Sequence, residues 1–308
     1  MIYSCLSYPG AKRKVIGELL ELFPDGIEDW REPFLGGGSV SIGFLQSEKA
    51  KDCKKFIVGD LYSEIWAFWV GIQRDPARVE SHMKEYFYSF CPTHDTVAAM
   101  EPGDEDYQAL YDLAIEEGRK FWDWTQKDDT IKGMDLYQRA ARFFLVNRVS
   151  FSSLSDSGSL SKNRFIQFNP RMFDRAYEVS KVIQRLEILN APFQETMAGG
   201  TDKSFVFLDP PYIAQEGSSL YGKKGSTHKG FPHQELADLC KQLPCKWLMT
   251  LDDSIKARKL YDGCTIERFF IQYTMALKSA EDALAGEELL IGNYQIYDRD
   301  LEDEFGLV

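Results

Sequence analysis

Apolar positions in the first quarter of the chain alternate between helical spacing and short runs. Val15, Ile16, Leu19, Leu20 and Phe23 recur at helical intervals ahead of Pro24, which predicts a helix over 11–23. Residues 30–34 predict a short strand, Gly36-Gly37-Gly38 a turn, 39–45 a helix, 56–58 a second strand, and a further helix starts near Leu61. Strand-helix-strand-helix order marks a parallel sheet. The pattern then changes. Residues 76–150 read as helices without a convincing strand, carrying Tyr86, Phe87, Leu110, Leu113, Phe121, Trp122, Phe143, Phe144 and Leu145. Turn formers fill 152–159, after which alternation resumes: a helix over 171–186, strands at 204–208, 246–251, 264–271 and 288–296, and a helix near 232–242. These elements predict an α/β fold in two sequence pieces, 1–75 and 172–308, around an inserted helical and loop region, 76–171, with no internal repeat.

Composition narrows the setting. The 308 residues are 44% hydrophobic and 14% aromatic, enough for a sizeable core. No stretch reaches the ~20 consecutive apolar residues of a membrane span, and the first residues lack a secretory apolar core, so a cytoplasmic protein is expected. Cys5, Cys53, Cys91, Cys240, Cys245 and Cys264 are scattered, without a Cys-x-x-Cys pair. Cys91 and His94 have ligand-like spacing but lack the further partners a zinc site needs, so no metal is expected. The net charge of −12 speaks against indiscriminate coating of nucleic acid. Basic residues are nonetheless concentrated: Arg139, Arg142, Arg148, Lys162, Arg164, Arg171 and Arg175 lie in one acid-poor stretch, and Lys223-Lys224 forms another basic spot. Acids dominate 101–129, which reads as a solvated helical face.

Three strand ends carry candidate chemistry. The turn Glu32-Pro33-Phe34-Leu35-Gly36-Gly37-Gly38-Ser39 follows one strand and opens a helix, and such glycines let a ligand approach the backbone. Asp60 ends the next strand, where an acid meets the hydroxyls of a ribose. Spacing separates the cofactors. The third glycine of G-x-G-x-x-G is missing and there is no G-x-x-x-x-G-K-[ST] loop, which disfavours a pyrophosphate or a triphosphate. S-adenosylmethionine has the ribose without the phosphate and suits the turn. Residues 205–208 are an apolar strand that stops at Asp209-Pro210-Pro211-Tyr212. Two prolines end the ladder and leave acceptors at the strand end, where a parallel sheet opens its ligand crevice. The Asp209 carboxylate and the neighbouring carbonyl can accept both hydrogens of an amino group and turn its lone pair outwards, while Tyr212 offers a face for a base.

Together these residues resemble the Dam-type S-adenosylmethionine-dependent DNA adenine-N6 methyltransferases. The likeness rests on Tyr8-Pro9-Gly10-Ala11-Lys12, Pro33-Phe34-Leu35-Gly36-Gly37-Gly38, Asp60, Phe193 in "APFQET", Asp209 to Tyr212, Phe231-Pro232-His233-Gln234 and the late strand "ELLIGNY". It spans nearly the whole chain. It implies a Rossmann-like methyltransferase sheet with an inserted target-recognition region. Tyr8, Lys12, Phe34, Gly36, Gly38, Asp60, Phe193 and Asp209 are then expected at the cofactor, and Asp209, Pro210, Pro211 and Tyr212 at a flipped-out adenine. Arg142, Arg148, Phe151, Ser152, Ser153, Lys162, Arg164, Lys223 and Lys224 are expected at duplex DNA. A monomer is expected, with a cognate restriction endonuclease as candidate partner.

Two departures stand out. Ala11 occupies a position where family members often have glycine, and 147–154 reads Asn-Arg-Val-Ser-Phe-Ser-Ser-Leu in place of the Asn- and Gly-rich hairpin of many members that read GATC. That specificity is therefore not carried over. Transfer to RNA adenine, transfer to cytosine N4, and a silent DNA-binding or assembly module of the same fold remain open beside the main reading. A nucleotide oxidoreductase has only the glycine turn in its favour.

Overall fold

A computed structural model describes residues 1–8, 10, 12–213, 230–272 and 285–297. Its centre is one sheet of seven strands in the order β3-β2-β1-β4-β5-β7-β6. The strands are β1 Asp29–Glu32, β2 Lys55–Gly59, β3 Glu187–Leu189, β4 Ser204–Leu208, β5 Lys246–Asp252, β6 Thr265–Gln272 and β7 Ala285–Gly292. β1 pairs in parallel with β2 and β4, β2 with β3, and β4 with β5. β7 runs antiparallel to both β5 and β6. The α/β sheet expected from the alternation is therefore present. Chain order reverses between β1 and β4, which opens a crevice beyond their carboxyl ends.

Period-two burial explains why the central strands read as unbroken apolar runs. Phe205 and Phe207 of β4 join a core cluster on one face, whereas Val206 and Leu208 join a second cluster on the other. Leu248 and Leu290 similarly lie on the first face, with Trp247, Met249, Leu251, Leu289 and Ile291 on the second. β1 breaks the apolar rule. Arg31 is fully buried and donates to Asp29 Oδ2 at 2.8 Å and to the Thr196 carbonyl at 3.0 Å, pinning the end of the short helix Phe193–Met197 to the sheet.

Residues between β2 and β3 form the helical block. Its axis is the helix Leu136–Val149, buried on nearly every side and packed against the helices Ser63–Arg74 and Pro76–Phe90. A capping box starts it: Asp135 Oδ1 accepts from Tyr137 N and Gln138 N, and Gln138 Oε1 accepts from Asp135 N. Phe87, Phe121, Phe143, Phe144 and Phe165 belong to the same core cluster as Trp30 and Phe205 of the sheet. The block and the sheet thus share one hydrophobic interior. The imidazole of buried His94 contacts the Asp95 carboxylate and the Phe165 carbonyl, consistent with a packing role.

Several boundaries differ from the expectations. The helix predicted over 11–23 is a 3-10 turn, Lys12–Lys14, followed by a helix only from Ile16 to Leu22. Lys12, in that 3-10 turn, is buried. β1 stops at Glu32, ahead of Pro33, which has no N–H to donate. The helix predicted over 171–186 ends at Val182 and continues as a 3-10 turn, Ile183–Arg185, from which the unpredicted β3 departs. Among the described residues no helix is long and apolar enough to cross a membrane.

Candidate active site at the carboxyl ends of β1, β2 and β4

The residues that follow β1, β2 and β4 converge on the crevice. After β1, Leu35 N donates to Gly59 O at 2.8 Å and Gly36 N to Asp60 Oδ2 at 2.9 Å, so the glycine turn is bonded to the end of β2. Gly36 and Gly38 have φ of 45° and 66°, and Gly38 forms the N-cap of the helix Ser39–Leu45. Space is as restrictive as conformation. A Cβ on Gly37 would lie 2.8 Å from Tyr8 Cβ, and one on Gly38 would lie 2.8 Å from the Trp69 ring. Tyr8 therefore lies over the turn while Trp69 supports it, donating from its indole N–H to Gly36 O at 2.9 Å.

Asp60 accepts from Tyr62 N at 2.8 Å through Oδ1 as well as from Gly36 N through Oδ2. Burial pushes its carboxyl up to about 6 against these two N–H groups. Each oxygen retains a lone pair for a ligand hydroxyl. Phe34, two residues beyond β1, and Phe193, which opens the short helix after β3, stand with centroids 5.8 Å apart, and Phe231 completes the cluster at 5.7 Å from Phe34. Phe34 and Phe231 are partly exposed, an apolar wall suited to a flat ring.

After β4, Asp209 is surrounded by donors. Lys12 Nζ lies 2.8 Å from its Oδ1 and 2.9 Å from its Oδ2, and the Thr250 hydroxyl donates to Oδ1 at 2.7 Å. Lys12 also donates to the Tyr212 hydroxyl at 3.0 Å and to Gly10 O at 3.1 Å. Pro210 is buried, whereas Pro211 and Tyr212 are partly exposed. Glu288 of β7 approaches Lys12 from beneath, at 3.5 Å. Burial raises the Glu288 carboxyl, with Lys12 opposing and Asp209 adding to the rise. Glu32 at the end of β1 is pushed up to about 8 by burial, opposed by the Ser41 hydroxyl and N–H and assisted by Asp209 and Asp60. Burial thus holds part of this carboxyl set in the neutral form near pH 7, Glu32 most clearly.

The sequence reading did not include Glu288, Thr250 or Glu32 in the site. A carboxylate inside the apolar run "ELLIG" was the available signal for Glu288, and its burial beside Lys12 explains why that strand tolerates it. The hydroxyl of Thr250 lies in the equally apolar run of β5, where the sequence alone shows nothing unusual.

The basic and loop residues divide into two groups. Arg142, expected at DNA, is 1% exposed: its guanidinium meets Asp156 and Glu64, and its Nε donates to Thr125 O at 2.7 Å. That expectation is corrected, because its donors are spent on carboxylates inside the fold. Ser153 is likewise buried, its hydroxyl taken by Arg164 Nη1 at 2.6 Å. The other residues are nearer to solvent. Arg148 is half-buried, donates to the Ser7 hydroxyl at 2.8 Å, and is lowered to about 10 by burial and by neighbouring Arg164 and Arg175. Lys162 is exposed, and Phe151 is 60% exposed next to Ser152, whose φ is 50°. Ser153 and Ser155 share that left-handed conformation, which non-glycine residues occupy at a cost of about 1–3 kcal/mol each. Lys223 and Lys224 lie outside the described residues.

Comparison with known proteins agrees with this geometry. Residues 8–275 match the family model of the D12 class N6 adenine-specific DNA methyltransferases. A type II methyltransferase of Lactococcus lactis subsp. cremoris, M1.LlaDCHI, is 25% identical, with 93% of this chain aligned to 94% of that one. The type II methyltransferase M.MjaIII of Methanocaldococcus jannaschii is 24% identical over 94% of this chain and 98% of its own. The DNA adenine methylase of Haemophilus influenzae is 21% identical over 92% and 91% of the two chains. With most of its length covered by the family model, and with the glycine turn and Asp-Pro-Pro-Tyr meeting at one crevice, the chain belongs to the D12 class and is an N6 adenine-specific DNA methyltransferase.

Proposed function

We propose that S-adenosylmethionine is the methyl donor, that the Tyr8, Lys12, Phe34, Gly36, Gly38, Asp60 and Phe193 side of the crevice holds it, and that Asp209, Pro210, Pro211 and Tyr212 hold an adenine flipped out of duplex DNA. The observation that carries this reading is Asp209 at the end of β4, across the topological switch from a glycine turn bonded to Asp60. S-adenosylmethionine, when bound, supplies an electrophilic methyl group on a sulfonium. The Asp60 oxygens take ribose hydroxyls, and Phe34 and Phe193 face the adenine ring of the cofactor. The target adenine must leave the duplex because its amino group is otherwise paired and stacked. Asp209 and the Pro210 carbonyl then accept the two amino hydrogens and Tyr212 stacks on the base. So held, the amino lone pair would face the methyl carbon that the donor presents, and the Asp209 carboxylate would take the proton that the nitrogen sheds. Alignment supplies much of the rate.

In this reading residues 1–75 and 172–308 perform the transfer, and 76–171 read the duplex. Phe151, Ser152, Arg148, Lys162 and Arg164 form the DNA-facing set, joined by Lys223 and Lys224. The two type II relatives support pairing with a cognate restriction endonuclease. Monomeric, cytoplasmic action is part of the same reading. The test is transfer of labelled methyl from S-adenosylmethionine into unmethylated genomic DNA, followed by mapping of modified adenines. Modification within one short motif supports the reading. Label appearing only in RNA, or cofactor binding without transfer, overturns it.

Two expected results follow from named residues. Asp60→Ala weakens binding of S-adenosylhomocysteine by about 10- to 100-fold, the worth of hydrogen bonds to a charged acceptor, with DNA affinity unchanged. In the unaltered protein the same affinity falls as pH drops through about 6, because the raised Asp60 carboxyl becomes protonated there and loses acceptor capacity. Calorimetry across that pH range checks both. For the second, Arg148→Ala and Lys162→Ala reduce DNA affinity, and a phosphate contact at either lowers the slope of log K against log salt by about 1. A base contact instead relaxes the methylated motif.

A further inference from the structure

Glu288 is a buried carboxyl beside Lys12 to which the proposed chemistry gives no task. It sits within β7, paired in register with Asp252 of β5 and Phe269 of β6, and its side chain is 3% exposed. The next three residues, Leu289, Leu290 and Ile291, supply the core on both faces of the sheet. An apolar side chain at Glu288 would suit that setting, and a buried carboxylate there is costly unless it is compensated. Its compensation comes from active-site groups: Lys12 at 3.5 Å and a hydrogen bond with the side chain of Tyr212.

Lys12 has more acceptors than hydrogens. An ammonium carries three donors, while Gly10 O, both Asp209 oxygens and the Tyr212 hydroxyl all lie within 3.1 Å of Nζ and Glu288 waits just beyond. Lys12 and Thr250 together load Asp209, the carboxylate that has to accept an amino hydrogen. For the target amine to bind there, Lys12 has to release part of its hold. A buried ammonium does so readily only if a second anion is at hand, and a shift of well under 1 Å brings Glu288 into hydrogen-bond range.

We infer that Glu288 is a positioning residue for methyl transfer: it takes up the Lys12 ammonium when the target amino group arrives at Asp209, freeing that carboxylate to hold the base. The inference rests on the reading of Asp209 as the acceptor of the target amine. Glu288 touches neither substrate nor donor in this scheme and acts through Lys12.

The test compares Glu288→Gln, Glu288→Asp and Asp209→Ala with the unaltered full chain. Single-turnover transfer is measured on saturating unmethylated genomic DNA with labelled S-adenosylmethionine, alongside S-adenosylhomocysteine affinity, DNA affinity and melting temperature. Glutamine keeps the shape and loses the charge. The expected result is a rate about 10- to 100-fold lower in Glu288→Gln, with both affinities and folding unchanged, and partial recovery in Glu288→Asp. A Glu288→Gln rate within about twofold of the unaltered protein, while Asp209→Ala is inactive, overturns the inference and leaves the reading of Asp209 standing. A slower rate matched by an equal loss of either affinity or of folding also overturns it, because the role is then structural. If Asp209→Ala still transfers methyl, the reading of Asp209 falls and the inference with it.

Discussion

Asp209→Ala is expected to lower methyl transfer by about 10³-fold or more while leaving S-adenosylhomocysteine affinity within a few-fold of the unaltered protein. The size of the effect follows from what the carboxylate is asked to do. In the proposed function it orients a weakly nucleophilic amino nitrogen, and it carries the negative charge beside which that nitrogen becomes positive as the C–N bond forms. Both contributions grow towards the transition state, so the loss falls on the rate of the chemical step. The proposed cofactor side rests on other groups, the Asp60 carboxylate and the glycine turn bonded to it at 2.9 Å. Alanine also leaves Lys12 facing Glu288 across 3.5 Å with Asp209 gone, so the ammonium keeps a counter-ion and the fold is retained. Asp209→Asn keeps one acceptor oxygen without the charge and is expected to lie between alanine and the native residue. Single-turnover transfer with a parallel binding titration checks the separation. Equal losses in rate and cofactor affinity would place Asp209 in the cofactor site alone.

The sheet and its crevice were legible because the relevant signals are local. The helix Ser39–Leu45 follows a glycine turn and carries a regular apolar spacing, and the structure has it at the bounds read from the sequence. The run that ends at Asp209 combines four apolar residues with two prolines, a pattern that can only stop a strand. Parallel pairing then brings Gly36, Asp60 and Asp209 to one end of the sheet, as the alternation of strands and helices implied. The features that escaped are those set by tertiary pairing. β3 has three residues and shows no period, and it exists because Ile188 finds Val58 beside it. Glu288 lies about 80 residues beyond Asp209 in the chain and meets it through Lys12, near the opposite end of the sequence. Charge runs were the least informative signal. Arg142 and Arg148 are six residues apart on one helix, yet one is wholly inside and the other half-buried.

Arg142→Ala is accordingly expected to destabilise the fold by about 3–5 kcal/mol, the scale of removing one partner from a buried ion pair. Its guanidinium bridges Glu64, at the start of the helix after β2, and Asp156 in the serine-rich loop, and Asp156 is 4% exposed. Without Arg142, Glu64 retains Arg139, whose Nε is 3.0 Å away, but Asp156 keeps only the Tyr62 hydroxyl among these partners. A carboxylate left buried in that way is costly, and the loop that carries it already holds Ser152, Ser153 and Ser155 at positive φ. Melting temperature should fall by on the order of 5–10 °C. Function follows stability here through a definite route. Tyr62 also donates its backbone N–H to Asp60 at 2.8 Å, so loosening Asp156 loosens the carboxylate proposed to hold the ribose. Cofactor affinity and DNA affinity should therefore decline together in Arg142→Ala, in proportion to the loss of folding. A residue contacting DNA directly behaves otherwise: its loss weakens DNA binding at unchanged melting temperature and cofactor affinity. Thermal melts run beside the two binding titrations separate these cases, and a normal melting temperature with selectively weakened DNA binding would return Arg142 to the DNA-facing set.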